Sequence, residues 1–467
     1  MSSSVKPILA DATRDLARFA ADTPAEAIPG SVIDRVKLSF LDGLGVCLHG
    51  STLPWTRHVR DMVVEEGGNP RASIWNSGHR TGVANAVLVN STAGHAFEMD
   101  DIHKESILHP NSLAVPTALA LAEADGTLTG RDIAAAIALG AEVGIRIGNA
   151  ATTSLFLNGF HPQGTSGAFV AAATAGRLLK LDAGRMQQAL GIAGSLGAGL
   201  MAAQEGAMVK RLHAGRAAQA GLQAALLARK GFTGIADVVE AGYGGFLSAF
   251  SRTPNPARLL EGLGDDWEVA KVGFKMYPNV TSIHSALDAL RAVLVEERIA
   301  GQDIATIAVG CGRMTFVHTA WDYRPAGVTA AQMNMFYGLA VMALRGDVSV
   351  ADYAEDRIAD AGTLAFIARI KIHLDEGLEQ KGPAFRHAAR LAVTTRDGRR
   401  FEREVHNRRG SPENPVTRED VERKFHANVG ALLGRGDADR LKQLALDLEN
   451  QPNATAIVGL VAPARHP

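Results

Sequence analysis

Hydrophobic residues recur with a helical period through most of the first 270 residues of the chain. Between residues 31 and 50, apolar side chains return every four positions from Val32 to Leu44, and Gly50 ends the pattern, which predicts an amphipathic helix. The alanine-rich, charge-poor composition of closely packed helices recurs at residues 109–125, 130–150, 164–181 and 215–232. This part of the chain is therefore predicted to be a helical bundle.

The pattern changes near residue 270, where β-branched residues become frequent. The predicted elements there are helices over 286–299 and 330–347 and strands over 303–311 and 370–376. Residues 387–406 form two alternating runs on either side of Asp397-Gly398, a favoured turn of two-residue hairpins. This region is therefore predicted to be an α+β domain.

Helical spacing returns after the hairpin, over residues 416–449, with Thr417 as a plausible N-cap. The order helical, α+β, helical predicts a mostly-α fold, in which a large all-helical domain formed by both chain ends accompanies a smaller α+β lid domain. The predicted boundaries are 1–270 for the first helical part, 271–404 for the lid and 405–467 for the C-terminal return to the helical domain.

Composition agrees with a folded protein of two domains. The chain has 467 residues, 46% of them apolar, and a net charge of −1 that gives no reason to expect nucleic acid or an anionic membrane as a partner. The two cysteines, Cys47 and Cys311, form no motif, and no secretory signal or charge-free apolar run of membrane-spanning length is present. We expect a cytoplasmic protein without membrane spans.

Titratable residues are concentrated at a few junctions between the predicted helices. The segment 94–110, GHAFEMDDIHKESILHP, contains Glu98, Asp100, Asp101 and His109 between two apolar segments. A metal site, an acid–base site and a polar loop remain open, although the segment matches neither the HExxH nor the twelve-residue calcium pattern. We expect no metal. His109 precedes a helix start, where an anion is favoured.

Three further junctions carry similar groups. His161-Pro162 precedes another predicted helix start, within residues 158–169. Residues 205–219 concentrate the positive or imidazole side chains of Lys210, Arg211, His213 and Arg216. Lys275 and His284 lie on either side of a Tyr-Pro turn at the predicted domain junction, a common place for ligand clefts. Each could also be a capped or solvated loop.

The residue types favour acid–base chemistry over the other classes considered. The chain has no GxSxG elbow, no nucleotide-binding glycine pattern and no zinc ligand cluster. Histidine, lysine, carboxylate and tyrosine together suit proton abstraction next to a carboxylate, with cations stabilising the developing charge.

At these same junctions the sequence resembles the MmgE/PrpD family, which includes 2-methylcitrate dehydratase, cis-aconitate decarboxylase and iminodisuccinate epimerase. The resemblance covers nearly the whole chain and rests on five blocks in order: HAFEMDDIH…HPNS, GFHPQGTSGAF, MVKRLHAGRAAQAG, FKMYPNVTSIHSALDAL and RRGSPENPVTREDVERKF. It implies a helical domain with an α+β lid, a homodimer, and no metal or other cofactor.

The resemblance also implies an active site. The family's catalytic groups match Glu98, His109, His161, Lys210, Lys275 and Tyr337, with Asp100, Asp101, His213 and His284 as expected substrate-binding neighbours. Two positions depart from the pattern of the family's decarboxylases. This chain has Glu98 where they carry an aspartate, and Val280 where they carry a histidine. We expect the remaining polar residues of the 94–110 segment to be scaffold or solvent-facing, namely His95, His103, Lys104 and Glu105.

The leading hypothesis is a cofactor-independent, dehydratase-type lyase that removes the proton α to a carboxylate of a small di- or tricarboxylic acid. Epimerisation or decarboxylation of a similar substrate shares the same carbanion-like centre. A non-catalytic dicarboxylate-binding protein is the alternative from another class. A metalloenzyme using the acids near residue 100 is the third, less favoured option.

Overall fold

The computed structural model describes residues 9–463, which fold mostly as helix: 58% of the chain is helical and 8% is strand. The predicted mostly-α fold class is confirmed. Two compact units divide the chain. Unit 1 contains the described residues up to Ala202, then Met208–Phe274, and the chain from Thr417 onward; unit 2 contains Ala203–Ala207 and Lys275–Val416.

The first part of unit 1 consists of helices and one two-stranded antiparallel ribbon, β1 (Ala72–Ser73) with β2 (Arg80–Thr81). The helices are α1 (Ala12–Asp22), α2 (Gly30–Ser51), α3 (Pro54–Glu66), α4 (Val83–Gly94), α5 (Asn111–Asp125), α6 (Gly130–Leu157), α7 (Gly167–Leu178), α8 (Ala183–Leu196), α9 (Val209–Arg229) and α10 (Phe246–Phe250). The predicted helix over residues 31–50 is confirmed as α2.

Small residues bring the central helices of unit 1 close together. Helix α7 packs against both α6 and α9. A Cβ at Gly144 of α6 would lie 2.2 Å from a Val170 side-chain carbon of α7, so only glycine allows this approach. The alanine-rich composition therefore builds a core in which short side chains let helix backbones meet.

Helix α6 is long and apolar enough to cross a membrane by length and composition, but its apolar window is wholly buried inside unit 1. It also contains a buried ion pair, in which Arg146 Nε donates to Glu142 Oε1 over 2.7 Å. This burial indicates that α6 is a helix of the protein core. Non-helical dihedral angles at Thr152 (φ 58°, ψ −177°) divide the helix near its C-terminal end.

Unit 2 is built around a four-stranded sheet of order β4-β3-β5-β6. Strand β3 pairs in parallel with β4 and antiparallel with β5, and β5 and β6 form the hairpin predicted at Asp397-Gly398. Its elements are α11 (His284–Glu296), β3 (Ile304–Cys311), α12 (Arg313–Thr319), α13 (Val328–Gln332), α14 (Met335–Arg345), α15 (Glu355–Ile358), α16 (Ala361–Ile367), β4 (Ile370–Leu374), α17 (Glu376–Glu379), β5 (Ala389–Thr395) and β6 (Arg400–Val405).

One predicted helix of unit 2 is divided. The sequence predicts a single helix over residues 330–347, but Asn334 has extended dihedral angles and separates α13 from α14. Its side-chain oxygen accepts a hydrogen bond from the Tyr337 backbone N–H at 3.1 Å, which is an N-cap. The asparagine therefore begins a new helix where hydrophobic spacing alone predicts a continuous one.

The C-terminal helices belong to unit 1. They are α18 (Arg418–Val429), α19 (Arg435–Leu446) and α20 (Thr455–Val461). Thr417 caps α18 in a capping box with Asp420, which confirms the predicted N-cap. Helix α18 packs against α2, where Lys424 Nζ lies 2.7 Å from a carboxylate oxygen of the buried Asp42.

Candidate active site

The loop between α4 and α5 is buried in unit 1 despite its polar sequence. Glu98, Asp100 and His109 are 3%, 2% and 7% exposed, so they are not a solvated face. Glu98 and Ile107 have left-handed φ values of 54° and 56°, which non-glycine residues adopt only when their surroundings hold them there. The loop is therefore a constrained interior segment that carries ionisable groups.

Asp100 lies between two imidazole rings. Its Oδ2 is 2.6 Å from His95 Nδ1, a short hydrogen bond, and its Oδ1 is 3.3 Å from His109 Nδ1, an ion-pair distance. Burial by itself would raise the pKa of Asp100, but the charges and hydrogen bonds of His109 and His95 hold that pKa well below its ordinary value. The carboxylate is therefore ionised between the two rings.

Gln163 ties this loop to the second His-Pro segment. Its Oε1 accepts from the His109 backbone N–H at 2.9 Å, and its Nε2 donates to the His109 carbonyl at 3.0 Å and to Ser112 Oγ at 2.8 Å. Gln163 is fully buried and stands two residues after His161. The two junctions that the sequence singles out separately are therefore one hydrogen-bonded structure.

His161 and His213 form a second imidazole pair. Their Nδ1 atoms are 2.9 Å apart, so one of these nitrogens donates a hydrogen bond to the other. Burial, followed by the charge of Lys210, lowers the pKa of His161 well below 6.5 and that of His213 to about 4. Both rings are therefore neutral near pH 7, the form in which imidazole acts as a base.

Positive charge enters the site from the first turn of α9. Lys210 Nζ and Arg211 Nη1 both donate to Glu98 Oε1, the arginine over 2.7 Å. All three side chains are buried, and such charges are stable in an interior only when paired. The carboxylate of Glu98 therefore lies beside two cationic side chains, an environment that favours a carboxylate oxygen.

Asp101 lies on the helix side of the loop. Its carboxylate oxygens are 3.2 and 3.3 Å from the backbone nitrogen of Asn111, the first residue of α5. Burial, together with the charges of Asp100 and Asp42, raises the pKa of Asp101 well above its ordinary value. This geometry gives Asp101 a part in holding the start of α5, and its predicted contact with substrate stays a prediction.

The predicted site residues of unit 2 are buried there in local contacts. His284 Nε2 lies 3.2 Å from the Asn279 carbonyl, and the Tyr337 hydroxyl donates to the Asp352 carbonyl. Lys275, the first residue of the longer segment of that unit, is 1% exposed, and Val280 is 7% exposed. The catalytic roles that the family resemblance implies for Lys275 and Tyr337 stay predictions.

Three of these side chains could hold a metal ion. One ligand atom each of His95, Asp100 and His109 lies within 4.8 Å of the others, and all three residues are buried. The 2.6 Å contact between Asp100 and His95 has the length of a direct hydrogen bond, and the charge of Lys210 also acts on His95. A hydrogen-bonded acid–base site fits this geometry better than a cation site.

The imidazole groups of unit 1 are contiguous. Ring centroids are 4.9 Å apart between His95 and His109, 5.5 Å between His95 and His161, and 5.1 Å between His161 and His213. The neutral rings of His161 and His213 can accept a proton from carbon, and the lysine beside them can stabilise the charge that remains. This arrangement is suited to acid–base chemistry.

The structure adds groups to which the sequence assigns no role. His95, expected to be scaffold or solvent-facing, is fully buried and contacts His109, His161 and Asp100, so a solvent-facing position is wrong. Its sequence signal is weak, because it stands at the end of α4 apart from the acids. Gln163 and Arg211 lie within the sequence blocks that resemble the family, but their spacing alone does not show which groups they contact.

Comparisons with known proteins cover most of the chain. The family model of the MmgE/PrpD N-terminal domain matches residues 14–259, and that of the C-terminal domain matches residues 277–450. The chain belongs to the MmgE/PrpD family and is an enzyme of that type.

Its relatives include cis-aconitate decarboxylases. The chain is 29% identical to the cis-aconitate decarboxylase of Aspergillus terreus (strain NIH 2624 / FGSC A1156), over 97% of each chain. It is 28% identical to the cis-aconitate decarboxylase-like protein oryM of Aspergillus oryzae, over 96% of this chain and 97% of the relative. It is also 28% identical to the human cis-aconitate decarboxylase, over 92% and 90% of the two chains. These relatives support a dehydratase- or decarboxylase-type enzyme.

Proposed function

We propose that the protein is a cofactor-independent lyase that removes a proton α to a carboxylate of a small di- or tricarboxylic acid, with loss of water as the leading reaction. The observation that carries this proposal is the neutral imidazole pair of His161 and His213 beside the cationic start of α9. A neutral imidazole removes the proton, and a nearby lysine ammonium stabilises the enolate-like charge.

The roles follow from the contacts of each group. His161 acts as base, and His109, beside ionised Asp100, acts as acid toward the departing hydroxyl. Lys210 and Arg211, which contact Glu98, bind a substrate carboxylate or the charge that develops on it. Lys275 and Tyr337 enter the proposal through the family resemblance alone.

Decarboxylation is the second candidate, and the printed names of the relatives favour it. Loss of CO₂ leaves the same carbanion-like centre, which then needs a proton rather than a base. The family resemblance implies a histidine in decarboxylases where this chain has Val280, so the valine removes one candidate donor. The neutral base pair therefore supports proton abstraction, and the family names support loss of CO₂.

A proton-exchange screen in D₂O tests the proposal and separates the candidates. Citrate-, aconitate-, malate- and amino-dicarboxylate-type compounds are incubated with the enzyme and followed by NMR for deuterium incorporation, double-bond formation and CO₂ release. We expect exchange at the carbon next to a carboxylate, and loss of that exchange in His161→Asn. Tight calorimetric binding of a dicarboxylate without exchange or turnover of any compound would instead indicate a carboxylate-binding protein.

A homodimer and a cytoplasmic location complete the proposal, both on the basis of the family resemblance and the sequence. Sedimentation velocity of the purified protein tests the first, since a single species of one-chain mass would contradict it. Activity that survives prolonged EDTA treatment, in protein free of bound metal, tests the cofactor-independent mechanism.

A further inference from the structure

His95 is a buried ionisable residue that the proposed reaction does not use. It is the C-cap residue of α4, is fully buried, and places its Nδ1 2.6 Å from Asp100 Oδ2. Its ring also stands edge-on to that of His109, with centroids 4.9 Å apart. A histidine in this position can affect the reaction only through the groups that it contacts.

The carboxylate of Asp100 determines which nitrogen of each ring carries hydrogen. An ionised carboxylate only accepts hydrogen bonds, so a neutral imidazole that faces it with Nδ1 presents an N–H there and a lone pair at Nε2. His95 makes the short contact at 2.6 Å, whereas His109 lies at 3.3 Å from the other oxygen. The bond from His95 is therefore the one that orients the carboxylate toward His109.

The backbone around this contact leaves little room for adjustment. A Cβ added at Gly94 would lie 2.9 Å from Ser112 Cβ of α5 and 3.0 Å from Cys47 Sγ of α2. Gln163 holds the His109 backbone through both its N–H and its carbonyl. The separation between the backbones of the two histidines is therefore set by helix packing, and the carboxylate of Asp100 joins their two rings.

We propose that His95 is a positioning residue, whose hydrogen bond to Asp100 turns the carboxylate toward His109 and so keeps the hydrogen of the neutral His109 ring on Nδ1, which leaves Nε2 as the nitrogen that takes up a proton from solvent and gives it to the departing hydroxyl. This inference rests on the acid–base role of His109 in the proposed function. Burial lowers the pKa of His95 to about 3, so the ring remains neutral at pH 7 and serves as a fixed donor.

The test compares His95→Asn with His95→Leu in full-length protein labelled with ¹⁵N in the histidine rings. The asparagine amide nitrogen occupies a position close to that of Nδ1 and can donate to Asp100, whereas leucine cannot. Long-range ¹H–¹⁵N spectra at pH 7, assigned with a His109→Asn variant, report the tautomer without any substrate. His103→Asn is the matched control, because His103 is a buried histidine of the same loop that contacts Ser106 and Glu268 instead.

We expect the Nδ1–H tautomer of His109 in the wild type, in His95→Asn and in His103→Asn, and a mixture of tautomers in His95→Leu. On the substrate found by the exchange screen, kcat of His95→Leu should fall about 10- to 100-fold, which is a part of the usual contribution of general acid–base catalysis. KM should stay nearly unchanged, and His95→Asn should recover part of the lost kcat. Circular dichroism and thermal unfolding show which variants are folded.

Two results overturn the inference: an Nε2–H tautomer of His109 in the wild type, or a His109 spectrum that His95→Leu leaves unchanged. If His95→Leu fails to fold, the wild-type spectrum and that of Asp100→Asn still decide, because the inference requires Asp100 to hold the tautomer. A His109→Asn enzyme that forms product at the wild-type rate contradicts the proposed acid role of His109 instead, and leaves the tautomer result standing.

Discussion

The two units use similar residues in different ways. In unit 1, His95, His109, His161 and His213 contact one another in an unbroken series, with Asp100 between the first two. The aromatic residues of unit 2 also form a series, in which Tyr337 lies with ring centroids 5.0 Å from Tyr323 and 5.6 Å from Tyr353. The first series joins imidazole rings beside a carboxylate, and the second joins phenols.

The difference shows that residue type alone does not identify a catalytic group. Burial raises the pKa of Tyr337 to about 12, and its hydroxyl proton is directed to the Asp352 carbonyl. Burial lowers the pKa of His161, and its Nδ1 meets another imidazole nitrogen rather than a backbone carbonyl. A hydrogen bond between two titratable side chains is therefore a better indicator of chemistry than burial or ring contact.

The largest expected effect is on activity, and it distinguishes the histidine series of unit 1 from the tyrosine series of unit 2. His161→Asn should lower kcat about 10²- to 10⁴-fold, the usual contribution of a general base, while the protein stays folded. The measurement is the rate of substrate proton exchange in D₂O, with circular dichroism as the folding check. A loss below threefold would remove His161 from the proposed mechanism and break the comparison.

The next effect concerns the buried charges of unit 1. Lys210→Met leaves Glu98 with one fewer cation in an interior position, and should lower the free energy of unfolding by about 3 kcal/mol. The double variant Lys210→Met/Glu98→Gln removes the buried charge as well and should recover part of that loss. Urea unfolding of both variants measures the effect, and equal losses in the single and double variants would contradict the pairing.

Acid should destabilise unit 1 through its neutral histidines. The folded-state pKa of His95, about 3, lies below its ordinary value of 6.5, so below pH 6.5 the unfolded chain binds a proton that the native protein does not. Stability is therefore lost as pH falls, by about 2 kcal/mol for such a histidine between pH 6.5 and 5. Urea midpoints across this range should fall less steeply in His95→Asn, and an identical slope would argue against a neutral buried ring.

The smallest effect is expected in unit 2. Tyr337→Phe removes the hydroxyl that donates to the Asp352 carbonyl, which should lower the free energy of unfolding by about 1–2 kcal/mol. Its loss of kcat should be smaller than that of His161→Asn. A fall in kcat of about a hundredfold or more at unchanged stability would restore the catalytic role that the family resemblance implies, since it would match the contribution of general acid–base catalysis.

Much of the fold follows from local sequence. Alternation around Asp397-Gly398 predicts the hairpin of β5 and β6, and Thr417 predicts the start of α18, because both signals act within a few residues. The break between α13 and α14 is also local, since Asn334 caps the second helix, but the continuous hydrophobic spacing hides it. Helical spacing reports which face is buried and carries less information on where a helix begins.

The sequence by itself determined which residue types are present and which junctions concentrate them, including His109, His161 and Lys210. Only the tertiary structure decided that Gln163 joins the two His-Pro segments and that Asp100 stands between His95 and His109. The physical reason is the range of each interaction. Helix and turn signals act over a few residues, whereas these hydrogen bonds depend on helices that meet across the core, where the positions of glycine and alanine set the distances.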